Sequence, residues 1–258
     1  MIAEFSLLLT CGMSLMWCLM PRAQVTSGFF RIQMLIVMGL SMLAILTMGQ
    51  LTADSGGRLS GSHLLAARIS LGFGLGSAYL GSIFWLLDRR RAGTIAMLGV
   101  VVATLASLIC SRGGPTALAT FAGAFHLLSG FATASVLGGA VTGMLLGHWY
   151  LTAPTMSIAP LKTLCWLFAG AIVLRLIVST AGWMLEGQAL HGGVQWTWFA
   201  LRWLAGILGP LAISVMAIGI LRYRNTQAAT GVLFAGVILT FIGEMSAALL
   251  YSELRVPL

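Results

Sequence analysis

Charge is what this sequence has least of. Only 8% of its 258 residues are Asp, Glu, Lys or Arg, where a water-soluble domain carries roughly 25%. So few charges cannot cover the surface of a soluble fold this size, and the solvent for most side chains must be lipid. Catalytic signatures are missing too: there is no HExxH, no P-loop, no dinucleotide fingerprint and no acidic cluster. Their absence argues against an autonomous hydrolase or kinase. The four cysteines (Cys11, Cys18, Cys110, Cys165) form no CxxC pair and no CxxCH haem-attachment motif. Lying in or beside apolar segments, they read as small buried residues.

Apolar sequence takes the place of charge. The chain is 59% hydrophobic with 32 glycines and eight tryptophans, and its mean hydropathy is +0.99. Glycine serves membrane helices where backbones approach closely, and Trp favours the membrane–water interface. A spanning helix needs about 20 apolar residues. Segments of that kind fall near 2–21, 29–51, 68–87, 92–111, 118–147, 160–185, 196–220 and 228–251. The fold expected is therefore an all-α integral membrane bundle of about eight transmembrane helices, one polytopic domain over 1–258. The first apolar run has no basic stretch before it, so it reads as a spanning helix and not as a cleaved signal. The longest loops are 52–67, 148–159 and 186–195; with no extramembrane domain among them, any soluble chemistry has to come from a partner.

The net charge of +8 would suggest nucleic acid in a soluble protein. Here it is better explained by arginines in short loops that orient the chain, and no nucleic acid is expected. Arg22, Arg31, Arg89, Arg90, Arg91, Lys162, Arg222 and Arg224 fall on one side, against Arg58, Arg68, Arg112 and Arg255 on the other. The positive-inside rule then places both termini outside, the periplasm if the membrane is a bacterial inner membrane.

Glycines at 139, 143 and 147 make a smooth stripe on the fifth helix, and Gly72 and Gly76 repeat the spacing in the third. Both read as packing grooves. Gly209-Pro210 should kink the seventh helix, because proline removes a backbone donor and crowds the preceding turn.

Ionisable side chains inside a membrane are costly and are the best functional pointers in such a chain. Arg175, Arg202 and Glu244 lie within helices, with Glu4, Arg68 and His126 nearer helix ends. In the orientation above all six map to the outer half. They read as a polar pocket that takes quinol: Glu244 and His126 as catalytic proton acceptors, Arg175, Arg202, Arg68 and Glu4 lining the site. A competing structural reading has the arginines snorkelling to headgroups, or pairing with Glu244 to hold helices together.

Haem b needs two imidazoles from facing helices. His126 and His148 are 22 residues apart, roughly 33 Å along one helix, and His63 and His191 fall in loops, so haem b is not favoured and no metal site is expected. His148, Trp149 and Tyr150 open the string GHWYLTAP, an interfacial cluster suited to an aromatic belt or to docking a partner subunit. This string and RNTQAATGVLF look like family signatures to which no activity attaches.

The last helix, TGVLFAGVILTFIGEMSAALL, with its Gly243-Glu244 step, resembles the closing helix of the membrane-anchor subunits of the polysulfide reductase and dimethyl-sulfoxide reductase type. The resemblance covers about 20 residues plus the helix count; the family pattern is not matched in the first four helices. It implies a haem-free quinol-binding subunit passing electrons to an iron–sulfur partner on the outer face.

Together these readings give a membrane subunit of a respiratory electron-transfer complex, with menaquinone or ubiquinone as substrate. It would dock iron–sulfur or cytochrome subunits in a lipid bilayer and would be inactive as an oxidoreductase alone. The alternatives are a transporter or ion-translocating protein and a non-catalytic assembly subunit.

Overall fold

In lipid the backbone has no water to bond to, so long apolar segments must satisfy their own N–H and C=O groups as helix. The computed structural model describes residues 1–49, 61–153, 155–186 and 192–254, and it follows this rule. Eight helices are long and apolar enough to cross a membrane. They are α1 (Ile2–Leu19), α2 (Ser27–Thr47), α3 (Gly61–Leu86), α4 (Arg90–Ser111), α5 (Phe121–Thr152), α6 (Ala159–Glu186), α7 (Gly193–Arg222) and α8 (Thr226–Leu254). Large apolar side chains stand exposed along them, among them Phe73, Ile95, Val102, Ile177, Val215 and Ile238. Water would penalise such surfaces and lipid does not.

Helix α3 begins at Gly61 and not near 68, so His63 belongs to a helix and not to a loop. Helix α5 runs on to Thr152, so His148, Trp149 and Tyr150 are helical residues and not the start of the 148–159 loop. The apolar-run rule finds the hydrocarbon-spanning part of a helix, and both helices continue beyond it into polar sequence. His191, Arg58 and Arg255 lie outside the described residues.

The chain divides into two compact units, Met1–Ala134 and Ser135–Leu258, with the boundary inside α5. In the first, α3 packs on α2 and α4, and α1 packs on α2 and α4. The buried stripe of α3 is Ala67, Leu71, Gly74, Ala78, Gly81 and Trp85, the repeat of a helix packed along one face. A Cβ at Gly74 or Gly81 would stand 3.1–3.2 Å from Ala103 and Ala96 of α4, whereas Gly72 and Gly76 have nothing within 4 Å. The packing groove of α3 is thus a different pair of glycines from the one expected. Trp85 stacks on Phe30 at 4.6 Å and covers Gly93, where a Cβ would meet the indole at 2.7 Å.

In the second unit the expected α5 stripe is partly used. Gly139 lies against Phe168 of α6 and Gly147 against Thr230 of α8, while no atom of another element comes within 4 Å of a Cβ at Gly143. Val136, Ala140, Phe168, Ala171, Ile172 and Ile207 form the core here. The expected disturbance at Gly209-Pro210 takes the form of a π turn over Leu204–Leu208, closed by the Gly209 N–H donating to the Leu204 carbonyl. Pro210 has no N–H to give, and the wider turn makes room for its ring.

Candidate functional site

Three helices of the second unit each bring one ionisable group to a common point. On α6, Arg175, Ser179 and Trp183 recur every four residues and share a face. On α7, Arg202 sits just before the π turn. On α8, Glu244 follows Gly243. Arg202 Nη1 donates to Glu244 Oε1 at 2.8 Å, and Arg175 Nη2 approaches Oε2 at 3.5 Å. The second Arg202 terminal nitrogen donates to Ser179 Oγ at 3.1 Å. Sequence alone left open which arginine pairs with Glu244; both do, one per carboxylate oxygen.

The triad is enclosed, with Arg175, Arg202 and Glu244 only 3%, 0% and 7% exposed. One carboxylate faces two guanidiniums, so the cluster carries a net charge of about +1. Burying charge in a membrane is expensive, and residues that do so line functional sites or hold each other by pairing. Arg202 Nε and the hydroxyl of Thr240, one turn before Glu244, are buried with no hydrogen-bond partner among the described residues.

Two glycines make the geometry possible. A Cβ on Gly206 would stand 2.7 Å from the Gly243 Cα, and one on Gly243 would fall inside the Gly206 backbone. The backbones of α7 and α8 therefore touch one turn after Arg202 and immediately before Glu244, which brings the two side chains within direct reach.

Aromatic rings gather further along the same three helices. Phe199 meets Trp183 at 4.9 Å, Trp196 at 5.9 Å and Trp203 at 5.9 Å. Trp183, Trp198 and Phe199 also pack on Leu250. Phe199 is one turn from Arg202, and Trp183 is eight residues, about 12 Å, beyond Arg175.

The other expected site residues belong to the first unit. Glu4 accepts from Arg112 Nη2 at 2.7 Å, and Arg112 also donates to the backbone carbonyl of His126 at 2.9 Å. Gly130 leaves room for this guanidinium, which a Cβ there would meet at 2.8 Å. In sequence Arg112 looks like a loop charge; what marks it is its place at the end of α4, with partners near the starts of α1 and α5. Arg68 is exposed, its guanidinium reaching 3.5 Å from where a Cβ on Gly49 would stand. His63 lies over Gly114, in the turn after α4.

His148 meets Phe234 edge-on at 6.5 Å. Tyr150 is buried and donates its hydroxyl to the Ser157 carbonyl, so of the three residues expected to dock a partner it is the one tied to the chain before α6. No group of three or more His, Cys, Asp or Glu side chains able to hold a metal occurs among the described residues. No protein-family model, curated protein or solved structure matches the chain.

Proposed function

We propose that this protein is the quinol-binding membrane subunit of an electron-transfer complex, with the Arg175–Glu244–Arg202 triad as its quinol site. The observation that carries the proposal is a doubly paired, buried carboxylate with a cluster of aromatic rings further along the same helices. A quinol ring is flat and apolar with oxygens at opposite edges. Aromatic side chains suit its faces, and guanidinium N–H groups suit its oxygens.

Oxidation of a quinol releases two electrons and two protons. Loss of the first proton leaves an anionic oxygen, and the excess positive charge of the triad favours that anion in a low-dielectric setting. In this reading the arginines hold and polarise the substrate, Glu244 keeps both guanidiniums in place, both quinol protons pass to water at the membrane face, and both electrons leave to an iron–sulfur or cytochrome partner. Glu4 has its own partner in Arg112, and this reading routes no step through Glu4, Arg68 or His126.

The test is to purify the chain from its native membrane in mild detergent with its associated subunits, extract quinones, and record a reduced-minus-oxidised spectrum. The proposal expects stoichiometric quinone and no haem b bands belonging to this chain. Haem b that stays after partners are stripped would move the chemistry to the histidines.

One observation favours a second reading, an anion transporter. Helix α7 is interrupted by a π turn directly beside a buried arginine, and interrupted helices mark binding sites in transporters. Uptake of an organic anion by proteoliposomes holding this chain alone, without quinone in the preparation, would establish it.

A further inference from the structure

The two strings that carried no activity in the sequence, GHWYLTAP and RNTQAATGVLF, come together at one end of the second unit. Here α5 ends, α6 begins, and α7 turns into α8. Between them is a cleft of about 550 Å³ lined by Tyr150, Thr155, Ser157, Arg224 and Thr226, among others. Arg224 is the sole ionised side chain in its wall, and none of the ion pairs among the described residues involves it. Lys162 and Arg222 flank the same end, and residues 148–163 and 221–230 contain no acidic side chain.

The backbone reinforces this. Arg224 is held in the left-handed region, φ 57°, a conformation that suits Gly or Asn and is unfavourable for arginine. Asn225 is next door but caps α8 instead, accepting from the Ala228 N–H at 3.0 Å. A tight turn of this kind needs no guanidinium, so the arginine is there for its side chain. The cleft also lies where spanning helices end, at headgroup depth, beside Trp149 and Tyr150.

We infer that this cleft binds a phosphate-type anion through Arg224 and the hydroxyls around it, the phosphate being that of an anionic lipid headgroup or a free phosphate. Basic pockets between transmembrane helices hold anionic headgroups in this way, and a guanidinium with neighbouring hydroxyls matches phosphate oxygens. The inference is independent of the quinol reading.

The experiment uses the full chain in detergent, with native mass spectrometry and thermal unfolding in the presence of phosphatidylglycerol, phosphatidylcholine or inorganic phosphate. Arg224→Asn is the diagnostic variant, because Asn tolerates the left-handed turn and the fold is kept. Arg222→Gln, outside the cleft wall, is the control. Wild type should retain phosphatidylglycerol over phosphatidylcholine. R224N should lose about tenfold in that retention, the size of one charge-assisted hydrogen bond, and R222Q should match wild type. If inorganic phosphate alone protects wild type but not R224N, and lipid does not, the occupant is the free anion. Equal retention by R224N and wild type, an equal loss in R222Q, or no protection by either probe would overturn the inference.

Discussion

Arg202 and Glu244 meet at 2.8 Å where α7 and α8 touch, and the arginine side chain is wholly enclosed. Arg175 reaches the other carboxylate oxygen from α6 at 3.5 Å. A pair this deep is worth little against a well-packed apolar replacement, yet breaking it from one side is severe.

Replacing Glu244 by Gln should therefore cost about 3–5 kcal/mol, because two buried guanidiniums lose their counter-charge. Detergent thermal unfolding checks this. Arg202→Met should cost more than Arg175→Met, since Arg202 makes the shorter contact and also holds Ser179. Equal losses would mean that the two arginines are interchangeable and the geometry is not as described.

The Glu4–Arg112 pair gives a contrast within the same chain. Its side chains are 47% and 20% exposed, and exposed pairs contribute roughly 0–1 kcal/mol. Glu4→Gln should shift the unfolding midpoint little. A loss as large as that of E244Q would show Glu4 to be enclosed.

Gly243→Ala puts a methyl group into the Gly206 backbone, and overpacking of this kind costs about 1–3 kcal/mol or more. Gly231→Ala on the same helix meets nothing within 4 Å and should be neutral or slightly stabilising. Matching unfolding curves for the two variants would contradict the close crossing.

Pro210→Ala removes the reason for the π turn. The helix ladder can then close, but at the expense of the Arg202–Glu244 pair, so stability should fall. Arg202, on the far side of the turn, would rotate with respect to the rest of α7. Quinone retention should fall with it. Unchanged retention would show that the π turn does not set the position of Arg202.

The eight helices were legible because lipid leaves long apolar runs no other conformation. The triad was legible in part: Arg175, Arg202 and Glu244 stand out as charges inside apolar runs, but their spacing along three separate helices cannot show that they meet. Arg112 was missed because a charge at a helix end looks the same whether it orients the chain or pairs with Glu4. The groove of α3 was misplaced because Gly72, Gly74, Gly76 and Gly81 offer small residues on both faces, and an apolar helix gives no polar side to choose between them. Nothing local marks Gly206 and Gly243 as partners, since the contact exists only once α7 and α8 cross.

The most direct test of the quinol site is a titration with a water-soluble quinone analogue, followed by tryptophan fluorescence. Trp183, Trp196, Trp198 and Trp203 surround Phe199 or Leu250 further along the triad's helices, so a quinone bound at the triad should quench them. The variant is Arg175→Met, which keeps the Arg202–Glu244 contact. Wild type should show saturable quenching, and R175M should need about tenfold more analogue, the loss of one charge-assisted hydrogen bond. Quenching that never saturates, or the same titration curve in both proteins, would contradict a quinol site at the triad.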